Sequence, residues 1–64
     1  MNNAATPRQI AAARKIVKGY SNDVLFCEHR AAFKDACAIV NGTMSADREA
    51  RLVALAQEMK LRGL

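Results

Sequence analysis

The sequence predicts an all-α protein, a compact three-helix domain, and three observations predict it. Apolar residues recur at helical and not at alternating spacing in each of three segments. The hydrophobic content of 52% is largely alanine, with only Tyr20, Phe26 and Phe33 aromatic, a composition that suits closely packed helices better than a sheet. Gly19, Asn41-Gly42 and Gly63 punctuate the pattern where helices would end. With 64 residues, the chain has room for one domain, expected over residues 6–64 behind a disordered lead-in at residues 1–5. A chain of this size buries only about 60% of the surface its unfolded form exposes, so its core is small and reliance on a partner subunit is expected.

The first helix is expected from Pro7 to about Lys18. Thr6 offers an N-cap, and Pro7 suits the first helical position, where its missing amide hydrogen costs nothing. Gly19 is expected to end the helix as a residue free to turn left-handed. Ile10, Ala13, Ile16 and Val17 form its apolar face, with Tyr20 folded beside them.

The central segment, Asn22 to Asn41, holds the longest unbroken helical pattern and is expected to organise the other two. Ser21 or Asn22 can cap it, and Asp23 complements the positive end of its dipole. Leu25, His29, Ala32, Phe33, Ala36 and Val40, edged by Phe26, Cys37 and Ile39, share a face wider than one neighbour needs, which predicts contact with two helices. Phe33 stands near the centre of that face and is expected in the core. On the reverse side Cys27, Ala31 and Ala38 form a strip of small residues that permits close helix approach. It predicts either a homodimer or a partner docked through the central helix, or simply alanine chosen for helix propensity.

Thr43 or Ser45 caps a third helix running to about Arg62. Leu52, Leu55, Ala56 and Met59, flanked by Val53, make its apolar face. Asp47, Arg51, Glu58 and Arg62 read as a solvated polar stripe, with Asp47–Arg51 and Glu58–Arg62 in the favourable acid-first i, i+4 order.

The net charge of +4 is in effect the charge of the first helix, because cations and carboxylates nearly balance elsewhere. Arg8, Arg14, Lys15 and Lys18 fall within an arc of about 120° opposite the apolar face. Such a face contacts phosphates or an acidic protein groove, or is merely solvated. His29 reads either as a core histidine hydrogen-bonded to another helix or as a pH-sensitive polar contact at an interface.

Catalytic and metal chemistry are poorly served. Cys27 and His29 project from opposite sides of a helix, and Cys37 lies about 12 Å along the axis from His29, so neither thiol finds a base and no metal ion collects all three. No cofactor is implied. The two cysteines, roughly 15 Å apart on one helix, are too distant for a disulfide and are expected as free thiols of a reducing compartment. The opening MNNAATPRQ lacks a basic region followed by an apolar run, and nothing approaches the roughly 18 apolar residues of a membrane span, so a cytoplasmic protein is expected.

The run TPRQIAAARKIVKGYSNDVL, Thr6 to Leu25, resembles the first helix and the opening of the second in repressor-type helix-turn-helix domains. That resemblance implies DNA binding, but Phe26 stands where the family has a small residue, and CEHRAAFKDACAIV continues without the short turn that would precede a recognition helix. The sequence therefore predicts a small non-enzymatic regulatory or inhibitory protein, of the kind a phage or plasmid encodes, that binds another protein through a helical face. The alternative is a nucleic-acid-binding module using the basic first helix, and a third is an accessory subunit of an enzyme.

Overall fold

The computed structural model describes residues 5–38 and 45–64, with the side chains of Cys37 and Ala38 excluded. It is a compact all-helical domain with α1 at Pro7–Val17, α2 at Asn22–Ala38 and α3 at Ala46–Arg62, and no strand among the described residues. The expected lead-in up to Ala4, the apolar positions Ile39 and Val40, the Asn41-Gly42 turn and the Thr43 cap lie outside the described residues.

Each helix starts where its local chemistry permits. Thr6 is extended, its hydroxyl accepts from the Gln9 backbone N–H at 3.2 Å, and the Gln9 side chain accepts in turn from the Thr6 N–H at 2.9 Å. This reciprocal box satisfies two of the helix's orphan donors. At α2 the two candidate caps divide the work. Ser21 Oγ accepts from the Val24 N–H at 3.3 Å, while the Asn22 side-chain Oδ1 accepts from Arg62 at 2.8 Å. Ser45 caps α3 by accepting from the Arg48 N–H.

The helix ends differ from one another. Gly63 adopts φ 74°, and the N–H of Leu64 reaches back to the Met59 carbonyl, the left-handed stop the sequence predicts. Gly19 makes no such turn. Positive φ is confined to Gly63 among the described glycines, and α1 instead closes through a right-handed Lys18 with short-range bonds from Gly19 to Ile16 and from Tyr20 to Val17.

The helix with two neighbours is α3, not α2. It packs against both α1 and α2, which scarcely meet each other. The core is Val17 from α1, Leu25 from α2, and Ala54 and Leu55 from α3, with Ala13, Tyr20, Ala32 and Met59 packed around it. Alanines explain how α3 serves two partners. By helical position Leu55 and Met59 lie on the α2 side, whereas Ala50, Ala54 and Glu58 lie towards α1. Ala50 and Ala54 are buried, and a methyl at each lets the α1 backbone come close. The predicted face of α3 therefore corresponds to half of its contact surface, and Ala56, assigned to that face, is exposed.

The broad face of α2 is divided likewise. Leu25 is fully buried and Ala32 packs beside it, but Phe26 is 48% and Phe33 57% exposed. Phe33 is thus not in the core as the pattern predicts. With one helix to pack on, α2 turns its Leu25–Ala32 edge inward and leaves its aromatic edge outside.

Candidate functional site

The basic face of α1 loses one of its four expected members to the fold. Arg14 sits at the flank of the helix and reaches α3, donating to Gln57 Oε1 at 2.9 Å and to Glu58 Oε1 at 3.4 Å. Glu58 also accepts from Arg62 Nε at 2.8 Å, so the predicted i, i+4 pair is present. The stripe is nonetheless not solvated. Glu58 is only 8% exposed and bridges two arginines. Arg62 extends the network by donating to the Lys18 carbonyl and to Asn22, so these side chains link α3 to the end of α1 and the first residue of α2. Arg51 likewise departs from its expected partner Asp47: it meets Glu28 at 3.5 Å and the Tyr20 hydroxyl at 3.4 Å. Buried charges demand such pairing, and no buried side-chain polar atom lacks a partner among the described residues.

Arg8, Lys15 and Lys18 are exposed. They stand within an arc of about 80° on α1 and form the cationic surface that Arg14 has left.

On α2, Cys27 and Ala31 are exposed, and Cys27 is a free thiol. Ala38, the third member of the predicted strip, has no described side chain. His29 is half-buried and belongs to a different side of the helix: its ring stacks on Phe33, with centroids 6.3 Å apart and planes inclined by 23°. No hydrogen bond to a described residue of another helix holds it. The core-histidine reading therefore fails for the described residues.

Around His29 lies a surface that sequence reasoning placed inside the protein. Phe26, His29, Arg30, Phe33 and Lys34, all on α2, form one open patch of its outward surface. The two phenyl rings, each about half exposed, form its apolar part. The signal was available in the sequence, since Arg30 and Lys34 stand one helical step from Phe26 and Phe33 and would have been dragged towards the core with them.

The carboxylates of α2 lie elsewhere. Glu28 and Asp35 line a cleft of about 160 Å³ with Ala31, Ala32, Arg48 and Arg51, where α3 supplies cations to match them. A second concavity, of about 310 Å³, runs between α1 and α3 past Ile16, Tyr20 and Arg51. Among the described residues no group of His, Cys, Asp and Glu is placed to hold a metal ion, and no helix is long and apolar enough to cross a membrane. Comparison with protein families, with characterised proteins and with solved structures finds no match to this chain.

Proposed function

We propose that this chain is a small, non-enzymatic regulatory or inhibitory protein that binds another protein through the outward surface of α2. The observation that carries the reading is the exposure of Phe26 and Phe33 around His29. Aromatic side chains dominate interface energetics because they bury large areas with little loss of rotamer freedom. Placed on a capped helix that is anchored by Leu25, they are presented in a fixed arrangement. A cytoplasmic role suits the exposed free thiol of Cys27.

The proposal extends to self-association. Cys27 and Ala31 are both exposed, Ala31 at the margin of the cleft with α3 and Cys27 further round the helix, and a second copy can approach these small side chains closely and form a homodimer through the central helix. Sedimentation across a concentration series checks this part: a dimer that dissociates on dilution supports it, and monomer at high micromolar concentration removes it.

The nucleic-acid alternative is weakened by the position of Arg14. With that guanidinium engaged by Gln57 and Glu58, α1 offers Arg8, Lys15 and Lys18. A log–log salt slope for duplex DNA of at most about −3 follows. The deciding experiment compares capture by wild-type protein and by a Phe26→Ser/Phe33→Ser variant from a lysate of the expressing cell, before and after nuclease. Capture that survives nuclease and disappears in the variant supports protein docking on α2. Capture that nuclease abolishes, or that only Lys15→Gln/Lys18→Gln reduces, moves the function to α1.

A further inference from the structure

We infer that the open patch of Phe26, His29 and Phe33 on α2 receives an acidic amphipathic helix, with apolar side chains seated against the two phenyl rings and Asp or Glu carboxylates set against Arg30 and Lys34. The inference rests on the reading that this face docks protein, and it names the chemistry of the partner.

Charge decides the occupant. The residues of the patch include two cations and no carboxylate. The acids of α2 are accounted for elsewhere: Glu28 and Asp35 line the cleft towards α3, where Glu28 meets Arg51, and Asp23 lies in the first turn, where it complements the helix dipole. Glu28 and Asp35 thus face the cations of α3, while Arg30 and Lys34 flank the exposed rings, with Asp23 on the same side of the helix but at its first turn. A partner with carboxylates beside its apolar residues gains attraction and faster encounter, while a basic or neutral one does not.

A second copy of this chain fits the patch poorly. In an antiparallel two-fold pairing across the rings, like edges meet, so Arg30 and Lys34 of one copy face those of the other. In a parallel pairing they face the edge carrying His29 and Ala36, which has no carboxylate. Each copy brings two cations to that edge and one carboxylate, Asp23, so either arrangement leaves cations at the interface unmatched. The shape favours a helix over an extended strand, because α2 offers a convex side-chain surface with side chains spaced i, i+3 and i+7 and no free sheet edge.

The test uses a fluorescent amphipathic peptide of about 18 residues, close to the length of α2, with Leu at helical spacing and Glu on both flanks, and a matched peptide with Lys in place of every Glu. Anisotropy titrations against the intact protein should show the Glu peptide binding about tenfold or more tightly than the Lys peptide. In Arg30→Gln/Lys34→Gln that preference should vanish, and in Phe26→Ser/Phe33→Ser binding of both peptides should be lost while the helical circular dichroism is kept. Equal binding of the two peptides, abolished by the Phe substitutions, would overturn the acidic partner and leave protein docking on α2 intact. Binding of neither peptide overturns this inference. Docking on α2 falls separately if the Phe variant also captures the same proteins as wild type. Tighter binding to phosphatidylserine vesicles or to a single-stranded oligonucleotide than to the Glu peptide, with the same dependence on Phe26 and Phe33, overturns the inference in favour of a membrane surface or nucleic acid.

Discussion

The contact between α1 and α3 and the outward side of α2 use opposite materials for opposite ends. The first is built from small side chains and charge: Ala50, Ala54 and Val17 are buried, and Arg14 and Arg62 close on Glu58. The second carries the two largest apolar side chains of the chain, Phe26 and Phe33, and leaves them half in water. Large aromatic residues would ordinarily be assigned to the core and a Glu to the surface. Here the assignment is reversed, because what a helix buries depends on how closely its neighbour can approach, and alanine permits the closer approach. The phenyl rings are then free to contact something other than the domain itself.

The sharpest way to break this contrast is at the buried side. Leu55→Ala deletes a side chain with no exposed surface at the meeting point of both interfaces, and about 2 to 5 kcal/mol is expected to be lost. Glu58→Ala leaves Arg14 and Arg62 facing each other without their shared acceptor, and about 3 kcal/mol is expected. Domains of this size hold roughly 3 to 5 kcal/mol in total, so both variants should lose the cooperative thermal transition followed by circular dichroism. A Glu58→Ala protein melting within a few degrees of wild type would show that the contact is held by alanine packing alone.

Terminal contacts come next in size. Gly63→Ala must place a Cβ at φ 74°, at a cost of about 1 kcal/mol, while Gly19→Ala meets only ordinary contact with the Ile16 carbonyl and should be neutral. Urea midpoints for the two variants check the pair. Equal destabilisation would contradict the right-handed close of α1.

The smallest stability effect carries the most information. Phe26→Ala and Phe33→Ala should each change stability by less than about 1 kcal/mol, although truncation of a buried Phe typically costs about 3 to 5. Denaturant midpoints close to wild type, combined with lost partner binding, would assign the rings to an interface. A collapse of stability would place them in the core after all.

Much of this architecture was legible in the sequence. Thr6, Pro7, Ser45 and Gly63 mark helix ends by chemistry that acts within four residues, and the i, i+4 pair of Glu58 with Arg62 is local too. The rotation of each helix about its axis was not. Periodicity says that Leu25 and Phe33 share a side of α2, but the choice of which edge turns inward depends on α3, which follows a separate segment of chain. Glu58 looked solvated because its second partner, Arg14, lies 44 residues away. The candidate site was missed for the same reason. A wide apolar face predicts two neighbours, whereas among the described helices α2 packs chiefly on α3.

The order of synthesis gives the arrangement of α3 a consequence. Since α1 and α2 scarcely touch, a nascent chain that ends before α3 has only two helices with little to pack on. Isolated helices as short as the 11-residue α1 are marginal in water. The long-range bonds of Arg62, to Lys18 and Asn22, join residues 44 and 40 positions apart, so the domain closes only when its last helix has left the ribosome. Until then Phe26 and Phe33 are exposed beside a Leu25 that has no core to enter, and a translating ribosome presents a sticky segment to chaperones and to neighbouring chains.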